Sequence, residues 1–174
     1  TFLINNKKLL KFCEELVDRK LNVSYQLPVG TRCEAINEEL VIALEKSGCQ
    51  NFALAPESGS EEIRKIVKKQ LDYSHFMKAV KLLCKSKMTI GCFFVIGFPE
   101  DNVKSMIESY KLILKLAFHG IDDITVSQFT PYPGSPYYDE LTQKGVLDGN
   151  LEEFADVISF YTQGRRSYSE TLSP

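Results

Sequence analysis

The sequence predicts an α/β chain in which helices pack outside a parallel sheet of about four strands. Three observations lead there. Helical and strand periodicities alternate along the chain. Strands begin near residues 22, 50, 89 and 121, so each interval of about 28 to 39 residues holds one strand and its return helix. Residues 89–96 are almost continuously apolar, as in a parallel strand covered on both faces. Right-handed crossovers make successive units wind the same way, which leaves a doubly wound sheet or an arc of a β/α barrel. In both, chemistry collects at the carboxyl ends of the strands. Four strands do not close a barrel, which needs about eight.

Each element has its own signal. Asn5 or Asn6 caps a helix carrying Leu9, Leu10, Phe12, Cys13, Leu16 and Val17 at helical spacing up to Lys20. Residues 22–29 alternate as a strand that Pro28 weakens. Asn37 then caps a helix with Leu40, Val41 and Leu44, and Gly48 stands where a helix ends. A strand around residues 51–55 leads to a helix opened by Ser58 and Glu61, which have capping-box spacing. Another helix runs from Ser74 through Phe76, Val80 and Leu83. After the apolar strand, a helix from about Val103 to Phe118 carries Ile107, Tyr110, Leu114 and Ala117 at the buried period, and Gly120 closes it. Residues 121–129 form the fourth strand. Leu151, Phe154, Val157, Ile158 and Tyr161 suggest one more amphipathic helix, which divides the chain into a core, 1–147, and a C-terminal helix and tail, 148–174.

The 174 residues, 44% hydrophobic and 25% charged, suit an ordinary globular domain and exclude disordered and collagen-like classes. No apolar run approaches the roughly 18 to 20 residues that cross a bilayer, and no signal-peptide stretch opens the chain, so a soluble, cytoplasmic protein is expected. With 21 Lys+Arg against 23 Asp+Glu, the chain is not a general polyanion binder. The five cysteines are scattered, Cys84 and Cys92 being the closest pair at eight residues apart, so none is a metal ligand by spacing and all are expected as reduced, buried thiols.

Four turn-rich segments sit at strand ends: residues 30–34, 56–61, 97–102 and 130–136. Glu57 follows the second strand directly, where a carboxylate either accepts hydrogen bonds from vicinal hydroxyls or favours a helix N-terminus. Ser58, Gly59 and Ser60 offer either an anion seat or a cap. Gly97 permits close backbone approach, and Pro131, Pro133, Gly134 and Pro136 stiffen the fourth loop beside Phe129, Tyr132, Tyr137 and Tyr138. Elsewhere, His75 and His119 lie at helix ends without a partner in view, His119 reading as a cap. Arg64, Lys65, Lys68 and Lys69 either grip phosphates or form the solvated face of an amphipathic helix, the second reading being favoured.

Three ordered blocks resemble the radical S-adenosylmethionine (SAM) core domain, in the branch of the tRNA methylthiotransferases and cobalamin-dependent enzymes. They are Ala55–Glu61 with Ile63, Arg64 and Lys65; Gly91–Glu100; and Thr130–Pro136. The likeness covers about residues 1–147, and it implies a partial TIM-type (β/α) barrel, an open arc of six units of which this chain supplies units three to six. It also implies roles. Glu57 resembles the residue that binds the SAM ribose hydroxyls, with Ser58 beside it. Arg32 is implied as partner of the SAM carboxylate, and Gly97-Phe98 and Thr130-Pro131 as backbone flanking adenine. Where the family commonly has Pro-Gly-Glu, this chain has Pro99-Glu100-Asp101.

The implied cofactors are SAM and a 4Fe-4S cluster held by three thiolates of a CxxxCxxC loop. That loop is expected upstream of Thr1, so the chain reads as a fragment that by itself holds no cluster and makes no radical. Within the longer protein, SAM would be cleaved to a 5′-deoxyadenosyl radical acting on a small-molecule or tRNA substrate that the sequence leaves open, as it does cobalamin use and the catalytic residues. A severed arc exposes an unpaired strand edge, so self-association is expected of the isolated piece. The alternative is a non-catalytic βα domain that binds a nucleotide or a protein partner. A barrel aldolase or isomerase is disfavoured because no lysine falls at a strand end.

Overall fold

The computed structural model describes residues 6–31, 33, 36–150 and 167–172. Along the chain run α1 (Asn6–Asp18), β1 (Tyr25–Thr31), α2 (Glu38–Lys46), β2 (Cys49–Glu57), α3 (Glu61–Ile66), α4 (Tyr73–Leu83), β3 (Thr89–Ile96), α5 (Val103–His119), β4 (Asp123–Gln128) and α6 (Pro136–Gln143). The strands form one parallel sheet in the order β1-β2-β3-β4. This is the α/β alternation that the sequence predicts.

Strand periodicity sorts the sheet's two faces. Phe52 and Leu54 on β2 and Ile90, Cys92 and Phe94 on β3 are fully buried and join Leu9, Leu40, Leu44, Phe76, Val80 and Leu116 in one core. Between them lie small residues: a Cβ on Gly91 would stand 3.7 Å from the Ala53 Cβ. Pro28 sits within β1, which is an edge of the described sheet, and pairing with β2 slips between Leu27 and Thr31. Asn37 caps α2 as expected, its Oδ1 accepting from the Leu40 N–H at 2.8 Å, and Gly48 takes φ +95° just past the helix.

Several expectations are corrected. On α5 the structure buries Ser105, Ser109, Leu112 and Leu116 and leaves Ile107, Tyr110, Leu114 and Ala117 exposed. The helix carries two stripes, and close approach selects the one with small side chains: a Cβ on Gly59 would lie 2.4 Å from the Ser109 Cα. Helix α3 begins at Glu61 behind Ser60, so Ser58 and Glu61 form no capping box. Asp72, rather than Ser74, opens α4, its carboxylate accepting from the His75 N–H at 2.9 Å and lying 3.2 Å from the His75 ring. His75 therefore has a partner, as does His119, whose Nδ1 is 2.9 Å from the Lys115 carbonyl. The structure adds α6, which Ser135 caps with Pro136 at its start. The helix expected around Leu151–Tyr161 lies outside the described residues.

By its internal contacts the chain divides into two compact units, Thr1–Ile96 with Val103–Ser127, and Gly97–Asn102 with Gln128–Pro174. Among the described residues, no helix is long and apolar enough to cross a membrane.

Candidate functional site

In the first unit the site grows from the end of β2. Pro56 has no N–H to give to the ladder, and the register slips there: Leu54 pairs with Cys92 but Glu57 with Phe94, leaving one extra residue on β2. The Ser58 N–H donates to the Pro56 carbonyl at 2.8 Å, closing a γ-turn around Glu57, whose φ is +64°. That form of the turn is rare for an L-residue and costs on the order of 1–3 kcal/mol. The Glu57 side chain is 27% exposed, and its Oε1 accepts from Lys69 Nζ at 3.0 Å. Oε2 has no hydrogen-bond partner among the described residues. A carboxylate with one oxygen already neutralised and the other available suits hydroxyl donors better than a second cation.

The residues after Glu57 are fully committed. Ser58 Oγ accepts from the Ser60 N–H at 3.1 Å and shares a hydrogen bond with Ser109 Oγ at 3.2 Å, while the Gly59 N–H donates to Ser109 Oγ at 2.9 Å. All three N–H groups of Ser58-Gly59-Ser60 are thus taken, so the loop is no anion seat. Arg64, buried, donates to the Ser58 carbonyl at 2.7 Å, and burial lowers its pKa from the ordinary value against the pull of Glu61 and Glu108. The basic group is therefore not one solvated face. Arg64 supports the loop, Lys69 pairs with Glu57, and Lys65 pairs with Glu61 on the surface.

In the second unit, Gly97 takes φ +83° and its N–H donates to Asp101 Oδ2 at 2.8 Å, with the Phe98 N–H on the same oxygen at 3.0 Å. Phe98 is buried against Phe129, ring centroids 4.9 Å apart, and near Tyr137 at 6.3 Å. The Tyr137 hydroxyl donates to the Glu100 carboxylate at 3.0–3.1 Å; burial first, and Glu100 second, raise its pKa. Glu100 is not in the left-handed region, so the turn accepts glutamate where the family commonly has glycine. Residues 167–172 strap the turn: Ser169 and Thr171 hydroxyls donate to the Asp101 carbonyl at 2.7 and 2.9 Å, and the Glu170 N–H to the Pro99 carbonyl at 3.0 Å. Pro131 is buried, and Thr130 makes a long bond to the Gln128 carbonyl at 3.5 Å.

Of the residues singled out from sequence, Glu57 and Ser58 share the first unit, and Gly97, Phe98, Thr130 and Pro131 the second. Arg32 lies outside the described residues. Lys69, Ser109 and Asp101 escaped the sequence reading as site residues. Asp101 alone carried a local signal, a carboxylate four residues after Gly97 in the same turn. A 4Fe-4S cluster does not fit the described residues: no group of three or more His, Cys, Asp or Glu could hold a metal ion. The thiols moreover disfavour the ligand form. Burial pushes Cys92 up to about 12 and Cys49 up to about 11.

The family model for the Radical SAM superfamily matches residues 4–113. The anaerobic magnesium-protoporphyrin IX monomethyl ester cyclase of Cereibacter sphaeroides is 25% identical over 159 residues, 89% of this chain and 25% of that protein. The threonylcarbamoyladenosine tRNA methylthiotransferase MtaB of Thermotoga maritima is 25% identical over 129 residues, 72% of this chain and 29% of that protein. Among solved structures, the radical SAM methyltransferase TsrM from Kitasatospora setae, with cobalamin and a 4Fe-4S cluster bound, aligns with a TM-score of 0.65 at 14% identity, over 79% of this chain and 28% of that one. That likeness is one of fold: four parallel strands with outer helices, part of a TIM-type barrel. The chain spans about a quarter of the length of the first of these relatives.

Proposed function

Because the chain belongs to the radical SAM superfamily, we propose that it forms part of an enzyme that binds SAM with the ribose hydroxyls on the Glu57 carboxylate. A 4Fe-4S cluster, the superfamily's cofactor, would supply the electron for SAM cleavage; no group among the described residues could hold it. This chain's own part is to bind and orient. Glu57 accepts from the vicinal hydroxyls of the ribose. Arg32 is assigned to the SAM carboxylate. The substrate acted upon is not assigned.

The observation that carries this reading is the strained Glu57. An unfavourable backbone conformation at a strand's carboxyl end places a largely buried carboxylate so that one oxygen pairs with Lys69 and the other has no hydrogen-bond partner among the described residues. Glycine would relieve the strain at that position, so the side chain itself is what the site requires. Replacing Glu57→Gln in the full-length protein removes one acceptor oxygen and the charge, and is expected to weaken SAM binding more than tenfold, about 1.4 kcal/mol or more. An unchanged dissociation constant removes Glu57 from the site.

A further inference from the structure

The γ-turn at Glu57 is held from the far side by a residue about fifty positions away. Ser109 of α5 is buried, 4% exposed, and its hydroxyl oxygen receives the Gly59 N–H at 2.9 Å while bonding Ser58 Oγ, itself 1% exposed, at 3.2 Å. The contact is backbone-close: a Cβ on Gly59 would lie 2.4 Å from both the Glu108 carbonyl oxygen and the Ser109 Cα. The loop is therefore packed tightly on α5, and the group of α5 that accepts the Gly59 N–H is the Ser109 hydroxyl. Without it that part-buried N–H loses its acceptor, and the loop gains a water partner for it by lifting from the helix. Lifting the loop frees Glu57 to leave its left-handed conformation, because the Ser58 N–H that closes the γ-turn belongs to the same segment.

We propose that Ser109 is a positioning residue for the ligand site: through Ser58 and Gly59 it holds Glu57 in the conformation that presents its carboxylate to the ribose. This rests on the ribose contact proposed above. Ser109 touches no ligand. Its effect on binding runs entirely through Glu57, and that separates it from a residue that merely stabilises the fold.

A double-mutant cycle in the full-length protein tests this, with S-adenosylhomocysteine binding measured by calorimetry for the parent, Ser109→Ala, Glu57→Gln and the double variant. Ser109→Ala is expected to weaken binding about fivefold to tenfold in the parent and less than about twofold in the Glu57→Gln background, since the pair acts as one. Equal losses in both backgrounds, or no loss in the parent, overturn the positioning role. No loss on Glu57→Gln alone overturns the ribose reading itself and this inference with it. If the alanine chain does not fold, Ser109→Cys, whose thiol is a weaker acceptor, runs through the same cycle with the same criteria.

Discussion

Lys69 Nζ lies 3.0 Å from Glu57 Oε1 across twelve residues of chain, with both side chains about seven-tenths withdrawn from solvent. The end of α3 brings them together. The Lys68 N–H donates to the Lys65 carbonyl and the Lys69 N–H to the Arg64 carbonyl, with Lys68 at φ +56°, which is the Schellman closure of a helix. A six-residue helix followed by this reversal returns Lys69 to the strand end that the chain has just left. The carboxylate is thereby oriented before any ligand arrives.

Lys68 occupies the position where helices prefer glycine, and its own side chain is exposed. Lys68→Gly is therefore expected to stabilise the protein by about 0.5–1 kcal/mol, while Lys68→Ala, which keeps the Cβ, changes little. Denaturant midpoints of the three proteins check this. Equal midpoints for glycine and lysine contradict it.

Asp101 carries two N–H groups on one oxygen. Asp101→Ala leaves both unpaired at a buried turn and is expected to cost about 2–3 kcal/mol; Asp101→Asn keeps an acceptor and loses about half as much. Chemical denaturation reads the difference. Equal costs for the two variants show that the N–H pair finds other partners.

Tyr137 gives a pH signature. Its phenol is raised above the ordinary value of 10 by burial and then by Glu100. A raised folded-state pKa means that its share of stability is fully present below pH 10 and is lost as pH rises through the raised value. The melting temperature is expected to fall at alkaline pH, and Tyr137→Phe to flatten that fall, with Tyr25, likewise raised by burial, supplying the remainder. The same alkaline slope in the Phe variant contradicts the assignment.

Much of this molecule is legible in local sequence. The apolar run of β3 and the Asn37 and Gly48 boundaries of α2 depend on residues close together, and the structure keeps them. What fails is long-range. Ile107, Tyr110 and Leu114 make the more apolar stripe of α5, yet the stripe with Ser105 and Ser109 is buried, because a glycine fifty residues earlier needs a small neighbour. Ser58 at capping-box spacing from Glu61 bonds instead to that same helix. Glu57 stands out through its place after a strand, but its strain and its Lys69 partner follow from turns whose geometry the residue types alone do not dictate.

The central claim concerns where one carboxylate goes when ligand is present. A crystal structure of the full-length protein with S-adenosylhomocysteine tests it most directly. Both ribose hydroxyls are expected within about 2.6–3.2 Å of the Glu57 carboxylate, with φ of Glu57 still positive. A ribose bound elsewhere, with Glu57 still engaged only by Lys69, contradicts the account.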